Sequence, residues 1–79
     1  MSEETKRLLS TLMVLGAQSA EKAISVDELA ARLGVGVSEI QAELSWLTKA
    51  GYALKISREG KVAVYLTGTG VITASSAYS

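Results

Sequence analysis

The stretch from Ser25 to Gly51, SVDELAARLGVGVSEIQAELSWLTKAG, decides the fold of this chain. Ser25 and Glu28 have the spacing of a capping box, in which each side chain bonds the other's backbone N–H at the start of a helix. Gly34 stands where that helix must end, because glycine adopts the left-handed conformation without a Cβ penalty. We therefore predict a short helix over residues 26–33.

A second helical pattern follows at once and ends at Gly51. Its apolar side chains fall within one stripe at about 100° per residue. These side chains are Val37, Ile40, Leu44 and Leu47. The pattern predicts a helix over residues 37–50, and two short helices joined by a tight turn are typical of a helix-turn-helix.

An amphipathic helix is predicted to precede this unit, over residues 3–15. Ser2 is its expected N-cap, and two glutamates in the first turn lie near the positive end of the helix dipole. Residues 17–24 fit either a helix or a connector. Ile24 is expected to begin a short extended segment.

After Gly51 the apolar period changes from helical to alternating. The alternating pattern of residues 52–67 predicts a β-hairpin, with Gly60 at a turn position where a positive φ is needed. Residues 68–79 are less regular. Their beginning fits a short helix, and their serine-rich end is expected to fray.

Composition sets limits on the function. A chain of 79 residues forms one small domain, and its 48% hydrophobic content predicts that some apolar surface is buried against a second copy. Eight basic and eight acidic residues give zero net charge, whereas nucleic-acid-binding domains usually carry a basic patch. Clustering of the basic residues therefore matters more than the total.

We predict that the chain is not an enzyme and needs no metal or cofactor. It has no cysteine and no histidine, so disulfides and thiolate or imidazole ligands are excluded. The segment Gly34-Val35-Gly36 is a turn between helices, because a phosphate loop would continue with lysine and then serine or threonine. The acidic start and the lack of an apolar run of about 20 residues predict a cytoplasmic protein without membrane contact.

The order of these elements resembles a winged helix-turn-helix domain. SVDELAARLGV is similar to the second helix and turn of that superfamily, and VSEIQAELSWLTKAGY to its recognition helix. YALKISREGKVAVYLTGTG resembles the wing followed by a Tyr-x-Leu-Thr-x-x-Gly segment. The pattern is similar to small archaeal and bacterial regulators of the MarR, ArsR and PadR type. The fold class implied is mainly α with a β-hairpin, a three-helix core plus a two-stranded wing.

The resemblance implies that the helix over residues 37–50 lies in a DNA major groove. Its candidate DNA-binding residues are those turned away from the apolar stripe. They are Ser38, Glu39, Gln41, Ala42, Ser45, Trp46 and Lys49. Gln41 can pair with adenine N6 and N7, and the serines can bond phosphates or bases without specificity. This face departs from the family pattern, because it carries one lysine while Glu39 and Glu43 lie nearby.

The hairpin carries more positive charge than the helix. Lys55, Arg58 and Lys61 outnumber Glu59, and the resemblance implies that they contact the phosphate backbone. The other interpretation is that turn charges merely keep an exposed hairpin soluble. Trp46 also has alternatives, since it can stack on a base, pack under the C-terminal segment or anchor a protein interface.

Two functions follow from this sequence. The first is a homodimeric DNA-binding transcriptional regulator, with the first helix and the stretch from Val71 to Tyr78 as the expected dimer contacts. The second is a winged-helix protein-interaction module without DNA binding, which the acidic helix, the zero net charge and Trp46 favour. Arginines on the exposed face of the helix over residues 37–50 would have favoured the first, and that face has none.

Overall fold

The computed structural model describes residues 2–76, and Tyr78 lies outside this range with the rest of residues 77–79. The helices are α1 (Glu3–Val14), α2 (Val26–Leu33), α3 (Val37–Lys49) and α4 (Gly68–Ser76). The strands are β1 (Ile24–Ser25), β2 (Ala53–Arg58) and β3 (Lys61–Leu66). A 3₁₀ turn, Ala20–Lys22, leads into β1, and the strands form an antiparallel sheet in the order β1-β3-β2.

The sheet has one more strand than the predicted two-stranded wing. Ile24 does begin an extended segment, and it pairs with Val64 while Ser25 pairs with Ala63. The hairpin therefore gains a short third strand that joins it to the start of α2. Residues 68–76, in the less regular C-terminal stretch, form the helix α4, which packs against α1.

The boundaries of α2 agree with the sequence signals, but its capping box is only half formed. Ser25 Oγ accepts a hydrogen bond from the backbone N–H of Glu28 at 3.1 Å. The Glu28 carboxylate does not return to the Ser25 backbone, because it accepts from Arg32 Nε at 2.9 Å one turn later. Gly34 ends the helix with φ 69°, the left-handed conformation that was predicted.

The hydrophobic core lies between the helices and the sheet. Its fully buried large side chains are Leu8, Leu9, Leu12, Leu29, Leu44, Leu47, Val64 and Leu66. Val37 was predicted to share the buried stripe of α3, and that was wrong. It is 39% exposed, because it occupies the first residue of α3, at the edge of the core.

The helix α4 is fixed to the loop after α3 through Thr67 and Gly70. Thr67 Oγ1 accepts from the Gly70 N–H at 3.0 Å and donates to the Gly51 carbonyl at 2.7 Å. Gly70 lies directly against the backbone of Tyr52, so a Cβ there would overlap the Tyr52 carbonyl oxygen and sit 2.9 Å from its carbon. Glycine at this position allows α4 to approach the loop between α3 and β2 closely.

Candidate nucleic-acid interface

The helix α3 has one buried and one exposed side. Ile40, Leu44 and Leu47 are at most 3% exposed, and they anchor the helix in the core. The predicted DNA-binding residues lie on the opposite side, where all are exposed except the half-buried Ser45. We call this set the α3 face: Ser38, Glu39, Gln41, Ala42, Ser45, Trp46 and Lys49.

Glu43 does not belong to the α3 face, although the sequence placed it nearby. Its Oε2 accepts a hydrogen bond from Thr5 Oγ1 at 2.5 Å, and Ser2 Oγ lies 2.8 Å from the same threonine oxygen. This network joins the N-terminus of α1 to the middle of α3. The negative charge of Glu43 is therefore turned towards α1, and the α3 face keeps Glu39 near one end and Lys49 near the other.

Trp46 packs on its own chain and is also presented to solvent. Its ring centroid lies 5.8 Å from that of Tyr52, and the two rings are inclined at 59°. Tilted aromatic pairs at this separation are favourable. The residue is still 48% exposed, so the indole is held in place with an open side.

The tip of the hairpin is a two-residue turn with positive φ at both central positions. Glu59 has φ 53° and Gly60 has φ 78°, as in a type I′ turn. The turn places Arg58 opposite Lys61 across the strands, and Lys55 lies further down β2. All three cations are exposed. We call Lys55, Arg58 and Lys61 the basic wing.

Arg58 makes an intramolecular contact that the sequence did not reveal. Its guanidinium donates to the carbonyl of Ala20 and, at 3.5 Å, to that of Ala23. These contacts tie the wing to the 3₁₀ turn before β1. No local pattern predicts them, because the partners are backbone carbonyls more than 30 residues away in sequence. Lys55 and Lys61 make no such contact among residues 2–76, so their charges remain free for a ligand.

The described residues, 2–76, hold neither a metal centre nor a membrane span. No group of three or more histidine, cysteine, aspartate or glutamate side chains within that range can hold a metal ion. No helix in the same range has the length and apolar character needed to cross a membrane.

No protein-family model and no curated protein matches the chain. Among solved structures it is similar to TubR from Bacillus megaterium pBM400, with a TM-score of 0.90, 20% identity, and coverage of 99% of this chain and 87% of that chain. It is also similar to a protein assigned to DNA binding from Ralstonia eutropha JMP134, with a TM-score of 0.85, 21% identity, and coverage of 100% and 99%.

A third similar structure is a mutant of MarR from E. coli complexed with operator DNA. Its TM-score is 0.83 at 18% identity, with 99% of this chain and 54% of that chain covered. This chain therefore spans about half of the MarR chain. The helix order, the sheet and these overlaps agree, and the fold of this protein is a winged helix-turn-helix.

Proposed function

We propose that the chain is a DNA-binding transcriptional regulator. The α3 face enters the major groove, and the basic wing follows the phosphate backbone beside it. The observation that carries this proposal is an exposed α3 face together with three exposed cations on the hairpin that follows α3, in a winged helix-turn-helix. Acting on DNA in a prokaryotic cell, such a regulator works in the cytoplasm.

The similar structures support the same assignment. One is MarR from E. coli complexed with operator DNA, and another is a mutant of MepR from S. aureus bound to an oligodeoxyribonucleotide, with a TM-score of 0.85 at 14% identity. On the α3 face, Gln41 supplies an amide that can read adenine, and Ser38 supplies a hydroxyl for a phosphate or base. Trp46, with its open side, is available to pack against the sugar or base edge.

The test is fluorescence anisotropy with a random-sequence duplex at several salt concentrations. We expect a Kd tighter than about 10⁻⁴ M at low salt. Each phosphate neutralised by the basic wing contributes a slope of about −0.9 in log K against log salt, so two or three contacts give about −2 to −3. A flat salt dependence, or no binding at low salt, would rule out the proposal.

Trp46 and Glu39 favour the alternative, a protein-interaction module without DNA binding. A half-exposed tryptophan is a common anchor of protein interfaces, and a carboxylate on the α3 face repels phosphates. Absence of DNA binding in the anisotropy measurement is the outcome that this alternative predicts.

We further propose that the protein acts as a homodimer through α1 and α4. The two helices pack against each other, yet each leaves a large apolar side chain in solvent: Val14 is 75% exposed and Ile72 is 69% exposed. Burying them against a second copy would remove apolar surface from water. A two-fold dimer of this kind places its recognition helices in successive major grooves about 34 Å apart.

The dimer is tested by substituting Val14→Glu and Ile72→Glu together. We expect analytical ultracentrifugation to find a dimer for the unmodified protein and a monomer for the double variant, because two charges cannot be buried unpaired at the interface. Leu54→Glu is the matched control, since Leu54 is an exposed apolar residue on β2 rather than on α1 or α4. A monomeric unmodified protein at tens of micromolar, or dimers in all variants, would contradict this interface.

A further inference from the structure

A cleft of about 410 Å³ opens between α1, the turn after α2 and the first half of α3. Small-molecule sites in proteins commonly fall between about 300 and 1,000 Å³, so the cleft has room for a small ligand. It lies on the side of α3 that faces α1, next to the α3 face. None of the interactions described above fills it.

The floor of the cleft is apolar. It is formed by Leu8 of α1, Leu33 at the end of α2, Val35 of the turn and Ile40 of α3. Leu8 and Ile40 are almost fully buried, whereas Leu33 and Val35 are half-buried and pack against the core. A ligand seated here would cover the parts of Leu33 and Val35 that this chain leaves open to water, and that burial is favourable.

The rim of the cleft carries unbalanced charge. Glu4, Glu39 and Glu43 contribute three carboxylates, and Arg7 contributes one cation. The Arg7 guanidinium donates to the Leu33 carbonyl at 3.3 Å. Within residues 2–76, none of these carboxylates has a cation within 4.0 Å, so the negative charge of the rim is not compensated by an ion pair.

We propose that this cleft binds a small amphipathic cation, with an apolar body on the leucine, isoleucine and valine floor and a positive charge at the carboxylate rim. Opposite charges attract more strongly beside a low-dielectric surface than in bulk water, which favours a cation here. An anion of the same shape meets three carboxylates. Arg7, the one cation among the residues that line the cleft, donates to the Leu33 carbonyl and pairs with none of the three carboxylates.

Occupation of the cleft has a consequence for DNA, and this part rests on the proposed function. Glu39 and Ala42 line the cleft and also belong to the α3 face. A cation bound against them occupies space at the same end of the recognition helix that enters the groove. The cleft is thus placed to lower DNA affinity when it is filled.

The binding test compares tetraphenylphosphonium with tetraphenylborate, two ions of similar size and shape but opposite charge. Both are titrated into the full chain without DNA, by calorimetry and by ¹⁵N-edited NMR. We expect the cation to bind at least ten-fold more tightly than the anion, with amide shifts concentrated at Leu33, Val35 and Ile40. Equal affinities, or shifts elsewhere on the molecule, would overturn the proposal.

Charge-neutral variants locate the site. Glu4→Gln and Glu43→Gln should each weaken cation binding about three- to ten-fold, the size expected for one nearby carboxylate at an exposed rim. In Glu43→Gln the new amide oxygen can still accept the hydrogen bond from Thr5, and urea unfolding checks that both variants fold. Glu21→Gln is the matched control, because Glu21 is an exposed carboxylate outside the cleft. Affinity that is unchanged in Glu4→Gln and Glu43→Gln argues against the site.

The DNA arm is measured separately, by anisotropy with and without saturating tetraphenylphosphonium. We expect the cation to weaken DNA binding by the unmodified protein and to do so less in the Glu4→Gln variant. If the cation binds the cleft but leaves DNA affinity unchanged, the proposal that a filled cleft lowers DNA affinity is overturned. If the chain binds no DNA, the proposed function fails, and the titration without DNA still decides the cleft.

Discussion

Gly70→Ala is expected to lower the free energy of unfolding by about 3 kcal/mol, an effect typical of forced overpacking. The new methyl group would overlap the Tyr52 carbonyl oxygen and crowd Leu66 Cδ2 at 3.2 Å. The helix α4 must then move away from the loop at Tyr52, which weakens the bond from the Gly70 N–H to Thr67 and uncovers Ala74. For a domain of this size the shift in Tm is about 12–24 °C, measured by thermal and urea unfolding followed by circular dichroism.

Gly68→Ala is the matched control for this prediction. Gly68 also lies in the first turn of α4, but a Cβ there meets nothing within 4 Å. Alanine is the better helix former, so the control should be as stable as the unmodified chain or more stable by up to about 1 kcal/mol. Equal stability of the two variants would show that α4 does not depend on the close approach of Gly70.

The sequence predicts those parts of the fold that rest on local pattern. The period of Ile40, Leu44 and Leu47 identifies the buried side of α3, because a helix places residues of that spacing on one face. Gly34 identifies the end of α2, because a left-handed residue was needed there. The order of helix, turn, helix and hairpin was enough for the winged helix-turn-helix assignment.

Features that depend on contacts between distant residues could not be predicted. The sequence identified Gly70 only as the last residue of the Tyr-x-Leu-Thr-x-x-Gly segment. Its contact with Tyr52 could not be predicted, because Tyr52 lies 18 residues earlier in the chain. The third strand depends on Ile24 meeting Val64. The spacing allowed the Glu28 carboxylate to accept a hydrogen bond from either the Ser25 backbone or Arg32. The sequence pattern alone does not show which of the two bonds forms.

The sequence also predicted only part of the candidate DNA surface. The exposed side of α3 follows from its period, so the α3 face could be predicted residue by residue. The charge near that face could not be predicted, because the Glu43 carboxylate is held towards α1 by a hydrogen bond from Thr5. The three cations of the wing also looked equivalent in sequence, but the Arg58 guanidinium is bonded to the carbonyls of Ala20 and Ala23.

This difference within the basic wing determines which residues test the proposed DNA contact. Reversing the charge of Arg58 would break its bonds to the segment before β1, and the wing would be displaced. Weaker DNA binding by that variant could then come either from a lost phosphate contact or from the displaced wing. The side chains of Lys55 and Lys61 are exposed and make no hydrogen bond or ion pair within the described range, so they can be changed without that loss. The register places them at different levels and on opposite faces of the hairpin, so a phosphate contact by one does not depend on the other.

The double variant Lys55→Glu/Lys61→Glu is expected to bind duplex DNA about a hundred-fold more weakly at low salt. Two phosphate contacts are lost, each worth about a ten-fold change through counterion release at about 50 mM salt, and the new carboxylates add repulsion. The slope of log K against log salt should become shallower by about 2 units. Lys6→Glu, on α1 and part of neither the α3 face nor the wing, is the control for net charge, to be compared with Lys61→Glu alone. If Lys6→Glu and Lys61→Glu weaken binding equally, DNA responds to the total charge of the protein and not to the wing.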